Sequence, residues 1–350
     1  MMSGTGPPFV LSAPLVRQMI RERGLVDAWA LARQLVAEID VFAHPLISEY
    51  HVGAVAIGCP DKEGDCAMYC GVNLEFPPLP INGETVHAEQ FAAALAFLHG
   101  EPQLTAMVTA AGFPCGHCRQ FLSEIAGIDR AVFLAASDET VSNTMQQLLP
   151  GGMRPAALEK GLAPVLGDGD GDVAPGRSLF DSCCEPYPEI AQHQLQPPVL
   201  VTDSAAAGTA AAACVRSWAP YTSAKAGVAL LLSIGEGEHE EQVCCCPGSA
   251  IESVAFNPSL PPLQVALIAA VATLAGHRER FSTTTDRPSP TGVEQTGTAL
   301  FSSAAITAAV LVEEPGHTSW AERTAQLLRV LAPSAPLHCY TVQQTRHASI

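Results

Sequence analysis

The sequence predicts an α/β fold in which strands alternate with helices to give a sheet covered by helical layers, with the pattern occurring twice along the chain. Three observations carry this. Short apolar strand patterns alternate with helical ones between residues 51 and 136, and a similar order returns after residue 226. Two glycine pairs, Gly53/Gly227 and Gly71/Gly248, stand at nearly constant offsets of 174 and 177. The segment between the copies, with "GDGDGDVAPG" and "CCEPYPE", is rich in turn formers and breaks the rhythm.

Taken in order, residues 12–38 carry helical periodicity. "HVGAVAIG" (51–58) and "AMYCGVNLEF" (67–76) read as strands, and a helix over about 87–99 ends at Gly100. "LTAMVTA" (104–110) is a third strand, "CGHCRQFLSEIAG" (115–127) a second short helix, and "RAVFLAA" (130–136) a fourth strand. In the second half "AGVALLLSIG" (226–235) echoes "VGAVAIG", and "LPPLQVALIAAVATLAG" (260–276) echoes the helix that opens with "TVHAEQ". The expected organisation is an N-terminal helical segment (1–44), a catalytic domain (45–150), a linker or insertion (151–204) and a second copy (205–350).

Composition narrows the function. The 350 residues are 48% hydrophobic, enough for two cores. The longest apolar stretches fall short of a membrane span, and "MMSGTGPPFV" lacks the basic flank of a secretory signal. A cytoplasmic protein is expected, with its twelve cysteines reduced. A net charge of −17, with 18 basic against 35 acidic residues, disfavours a nucleic-acid partner. The alternation of Asp168, Asp170 and Asp172 reads as a solvated loop, because a calcium loop would need Gly at Val173 and Glu at Leu179. The run Cys244–Cys246 lies on a strand, where alternation sends neighbouring side chains to opposite faces.

The chemistry concentrates in two short motifs. "TVHAEQ" sets His87 and Glu89 at a helix start, and "PCGHC" sets Cys115 and Cys118 at another, where the helix dipole and free N–H groups favour thiolate. Two thiolates and one imidazole make a charge-balanced three-ligand zinc site that leaves the fourth tetrahedral position for water. Glu89 then stands as the proton carrier. A lone C-x-x-C among twelve cysteines, or a lone glutamate in a first turn, would mean little. The joint H-x-E and P-C-x-x-C pattern is the known signature of zinc nucleobase deaminases. The second copy carries Pro, Leu and Gln around 261–264 and no C-x-x-C follows, so one zinc per chain is expected.

With "AFNPSLPPLQ" at 255–264, these motifs make the chain resemble the cytidine deaminase family in its dimeric form, with a catalytic and a degenerate domain. The resemblance implies a duplicated three-layer α/β/α fold with a mixed sheet. It also implies hydrolysis of cytidine and 2′-deoxycytidine to uridine and 2′-deoxyuridine with release of ammonia, in pyrimidine salvage. By resemblance, zinc binds His87, Cys115 and Cys118, while Glu89 carries protons. Asn73 and Glu75 in "GVNLEF" match an Asn-x-Glu pair that binds the ribose, and Tyr50 falls where the family has a Phe near the base. Gln90 stands where three-cysteine members carry Arg. Met153 in "LPGGM" takes the place of an aromatic that packs on the pyrimidine. Ala255 and Phe256 match positions that complete the partner's site in a homodimer whose active sites are shared. The competing readings are a deaminase of a cytosine nucleotide or polynucleotide and a catalytically silent zinc-binding regulator.

Overall fold

Pro14 in the first turn of α1 (Ala13–Glu22) has the φ a helix start requires, and Asp27 starts α2 (Ala28–Ile39) by accepting the Ala30 N–H at 2.8 Å. Leu31, Leu35 and Ile39 recur at helical spacing and are all buried, which turns α2 onto the sheet. The computed structural model describes residues 8–153 apart from 111 and 126, 203–234, 242–275, and 304–342 apart from 316 and 317. The segment read as a linker, with Asp168, Asp170 and Asp172, lies almost wholly outside the described residues. The chain divides into two bodies, the described part of the first being residues 8–153 joined by Ser253–Ser259 and the end of one later helix.

In the first body, β1 (Val10–Leu11), β2 (Gly53–Pro60), β3 (Cys66–Val72), β4 (Leu104–Thr109), β5 (Val132–Ala135) and β6 (Asp138–Thr144) form one sheet in the order β1-β3-β2-β4-β5-β6. Only β4 and β5 run parallel, so the sheet is mixed. A single turn, α3 (Ile81–Glu84), precedes α4 (Ala88–Leu98), and α5 (Gly116–Leu122) follows β4. Every residue of α4 is buried, as a helix apolar on every face beyond its first turn must be, and its two polar members, Glu89 and Gln90, sit in that first turn. The short α6 (Met145–Leu148) closes the described part of this body.

Three details differ from the sequence reading. The strand expected over 67–76 leaves the ladder at Val72, with Leu74 making single bridges to His44 and Val86. The helix expected to run to Gly127 stops at Leu122, where the Ser123 hydroxyl donates to the Gln120 carbonyl at 2.7 Å and competes with the helix. Gly127, at φ +71°, instead opens a short 3-10 turn. Strand β6, "DETVSNT", has no apolar alternation and owes its place to pairing with β5.

The second body contains α7 (Asp203–Arg216), β7 (Ala226–Ile234), β8 (Gln242–Ser249), α8 (Pro262–Ala275, whose last turns count with the first body), β9 (Ala304–Glu313), α9 (Ala321–Leu331) and β10 (Leu337–Thr341). Its sheet order is β10-β9-β7-β8, with β9 and β10 parallel. This reproduces β5-β4-β2-β3 strand for strand. Cys244 and Cys246 share one face of β8, with their sulfurs 3.8 Å apart. Among the described residues no helix is long and apolar enough to cross a membrane.

The two glycine pairs acquire a reason here. A Cβ on Gly71 would lie 2.2 Å from the Ala88 carbonyl oxygen and 2.5 Å from the Ala92 nitrogen, both backbone atoms of α4. A Cβ on Gly248 would meet the Pro262 oxygen and the Ala266 nitrogen of α8, each at 2.2 Å. Gly53 and Gly227 press in the same way on Val36 and Ala210 of α2 and α7. Backbone cannot yield as a flexible side chain can, so Gly71→Ala is expected to cost about 3 kcal/mol, a fall in Tm of roughly 10 °C by thermal melting. A melting temperature within about 2 °C of wild type would show that α4 can back away from the sheet.

Candidate active site

The loop Leu74–Val86 brings the chain from the end of β3 to α4, and the bridge between Leu74 and Val86 delivers His87 at the N-cap of that helix. Gln90 fixes this start: its Oε1 accepts the His87 N–H at 3.2 Å, and its Nε2 donates to the Pro258 carbonyl at 2.8 Å. Cys115 is the N-cap of α5, and Cys118 lies one turn on, wholly buried. Arg119 braces the turn before them, with Nε donating to the Pro114 carbonyl at 2.6 Å and a second nitrogen to the Leu148 carbonyl at 2.7 Å.

These elements place the ligand atoms of His87, Cys115 and Cys118 within 4.8 Å of one another, a grouping that no other His, Cys, Asp or Glu set among the described residues matches. His87 Nδ1 lies 3.5 Å from Cys115 Sγ. A tetrahedral zinc, with bonds of about 2.3 Å to sulfur and 2.0 Å to nitrogen, holds such ligands roughly 3.5 Å apart, so the pair has the spacing the ion requires. The protonation pattern agrees. A hydrogen bond from Cys118, stronger than the opposing effect of burial and aided by His87, brings the Cys115 thiol down to about 3. Burial and the neighbouring Cys115 push the Cys118 thiol well up. Burial is the largest single influence on His87 and opposes its charge, but the hydrogen bond with Cys115 and the charges of Cys115, Glu89 and Glu75 together outweigh it and raise its pKa. Two sulfurs thus share one proton at a place where a dication would let both ionise.

Glu89, only 7% exposed, sits within the same cluster and hydrogen-bonds the Cys118 thiol. Burial raises its pKa, partly offset by its own backbone N–H. A carboxyl raised in this way holds a proton more readily than a free one, as a proton carrier must. Sequence reasoning missed His117, whose ring stacks on that of His87 with centroids 4.9 Å apart and planes at 19°. Its position between the two cysteines of the motif was the available signal.

The other expected site residues are placed less directly. Asn73 and Glu75 are buried at the end of β3, with their side chains engaged by the segment 47–52. Tyr50, Met153 and Phe256 have exposed side chains. Hydrogen bonds at the backbone hold the first two: Tyr50 N–H to Ser48 Oγ at 3.2 Å, and Met153 C=O from Gln120 Nε2 at 2.5 Å. Ala255 and Phe256 lie in the Ser253–Ser259 segment of the first body, which is tied down by Gln90 and by Glu124, whose carboxylate accepts the Val254 N–H at 2.6 Å.

The family model described as the cytidine and deoxycytidylate deaminase zinc-binding region matches residues 34–135 and, in a second form, residues 171–284. A cytidine deaminase of Sodalis glossinidius is 35% identical over 272 residues, covering 77% of each chain. This chain belongs to the cytidine deaminase family. A further relative, the cytidine deaminase of Cronobacter sakazakii, is 34% identical over 261 residues, covering 74% of this chain and 73% of its own. A solved cytidine deaminase from Mycobacterium leprae aligns with 35% of this chain at 23% identity and a TM-score of 0.28. The first matched stretch contains His87, Cys115 and Cys118, the group that could hold the zinc the family model describes. In the second, Pro261 and Leu263 follow Leu260 as His87 and Glu89 follow Val86, because the Ile251–Leu260 bridge repeats the Leu74–Val86 one. Among the described residues, that copy brings together no comparable His and Cys group.

Proposed function

We propose that the chain hydrolyses cytidine and 2′-deoxycytidine to uridine and 2′-deoxyuridine, releasing ammonia, as a step of pyrimidine salvage. The observation that carries the reading is the buried Glu89 carboxyl set beside a complete His87, Cys115 and Cys118 ligand group. The chemistry a zinc supplies there is Lewis acidity, which brings the pKa of a water down to about 7. Glu89 takes a proton from the attacking water, delivers it to ring N3 and then assists departure of the 4-amino group. His87 and Cys118 are held by α4 and α5, so the carboxyl and the ligands keep their spacing through turnover. Asn73, and Tyr50 on the segment it holds, face the sugar and base, with Met153 covering the ring.

The chain works as a homodimer in the cytoplasm, with Ala255 and Phe256 completing the partner's site. The ten described cysteines form no disulfide among themselves, which suits a reducing compartment. The decisive assay follows ammonia release from cytidine, 2′-deoxycytidine and cytidine monophosphate, with sedimentation in parallel. Turnover of both nucleosides, little turnover of the monophosphate and a particle of twice 36.6 kDa are expected. Little turnover of the monophosphate is expected because Asn73 and Glu75 supply no cation for a phosphate; preference for it would make the chain a nucleotide deaminase. Release of no ammonia from a zinc-loaded protein would leave a silent regulator.

A further inference from the structure

The Ser253–Ser259 segment of the first body is a turn tied off from within. Ser253 N–H donates to Ser259 Oγ at 2.9 Å, Ala255 N–H to Ser253 Oγ at 3.4 Å, and Phe256 N–H to the Ser253 carbonyl at 2.8 Å. Asn257 N–H donates to the Ala255 carbonyl at 2.6 Å and Ser259 N–H to the Phe256 carbonyl at 3.0 Å. One N–H is left, that of Val254, and it leaves the segment for the Glu124 carboxylate at 2.6 Å. The Pro258 carbonyl also looks outward, accepting Gln90 Nε2 at 2.8 Å. Val254 and Pro258 are buried, while Phe256 and Asn257 between them are exposed. The turn thus stands on two buried feet and lifts its tip into the open.

The tip is not a shape the backbone takes unaided. Phe256 sits in the left-handed region at φ +58° and is 54% exposed. A bulky residue stays in such backbone only where its surroundings over-determine it, which here falls to the inner bonds and the two feet.

The feet rest on different helices. Gln90 lies in the first turn of α4, three residues after His87, whose N–H its Oε1 accepts at 3.2 Å. Glu124 follows the end of α5, six residues after Cys118, and is wholly buried. These are the two helices whose starts carry the candidate metal ligands, His87 on α4 and Cys115 with Cys118 on α5. An ion shared by that group ties the two helix starts together and fixes the spacing of Gln90 and Glu124. Without it each anchor follows its own helix.

We infer that Glu124 is a positioning residue, and that through Glu124 and Gln90 the Ala255–Asn257 tip is held in shape by closure of the His87, Cys115 and Cys118 group. Linkage makes the effect reciprocal: as closure of the ligand group steadies the tip, so the feet of the tip strengthen the hold on zinc. The inference rests on the deaminase reading, which supplies both the zinc and the tip's place in the partner's site.

Its test reads exchange and metal affinity instead of turnover. Amide exchange of the wild-type protein is followed with zinc bound and after its removal by a chelator, with the amides of β7 as the control. Exchange at Val254 quickens about tenfold or more without zinc, while β7 keeps its protection. Zinc affinity, measured by competition with a chromogenic chelator, falls about fivefold or more in Glu124→Ala. Glu124→Gln, whose amide oxygen still accepts from Val254, stays within about twofold of wild type. A purely structural Glu124 would lower the melting temperature of the alanine variant and leave its zinc affinity alone. Equal exchange at Val254 with and without zinc, a Glu124→Ala variant of wild-type affinity, or a Glu124→Gln variant as weak as alanine each overturns the inference. Should Glu124→Ala fail to fold, Glu124→Met against Glu124→Gln makes the same comparison at nearly equal volume. Should removal of zinc unfold β7 as well, the zinc affinities of the variants decide. A zinc-loaded wild type that releases no ammonia would remove the deaminase reading alone, since neither readout depends on turnover.

Discussion

Glu89→Gln keeps its zinc and its fold and loses roughly two to four orders of magnitude in kcat, because an amide of the same shape cannot carry a proton. The side chain is buried beside the Cys118 thiol, and Gln fills that volume without a charge, so the ligand group stays in place. Single-turnover kinetics with elemental analysis on the same sample separates loss of chemistry from loss of metal. A zinc-loaded variant with near-native kcat would remove Glu89 from the proton path. A variant without zinc would mean that the carboxylate supports the ligands instead.

Cys115→Ala is expected to lose the metal itself. The wild-type protein should carry one zinc per chain, since the described residues contain one complete ligand group. Without Cys115 two ligands remain, fewer than zinc sites ordinarily use. Cys115 is also the sulfur that ionises most readily, down to about 3, while burial holds Cys118 protonated. The remaining imidazole and thiol make a poor trap for a dication at neutral pH. Elemental analysis after dialysis against a weak chelator checks this. Retention of a full zinc equivalent would point to another sulfur as the ligand. Two equivalents in the wild type would implicate Cys244 and Cys246, whose sulfurs lie 3.8 Å apart.

Much of this was legible in the residues themselves because it is local. His87 with Glu89, and Cys115 with Cys118, lie within one helical turn of each other, so their spacing sets their geometry wherever the helix goes. The alternation of strands and helices, and the glycine pairs that mark the duplication, were equally local. The sequence did not tell why the glycines recur, since the atoms they make room for, in α4 and α8, lie 17 and 14 residues further on. Nor could it show that "NLEF" leaves the ladder. Val, Asn, Leu and Glu alternate as a strand would, but the carboxylate of Glu75 finds the amides of Ile47 and Ser48 from a distant part of the chain.

By itself, then, the sequence determined the alternation that makes an α/β chain and pointed to the proposed donor atoms and proton carrier, all of which depend on covalent spacing and helix geometry. Tertiary structure alone decided that His87 meets Cys115 at 3.5 Å, that His117 stacks on His87, and that Asn73 and Glu75 spend their polar atoms on the 47–52 segment. The ligand encounter and the Asn73 and Glu75 clamp join residues more than twenty positions apart. Whether such groups meet is fixed by how the helices and loops pack around the sheet, and no local spacing encodes that packing.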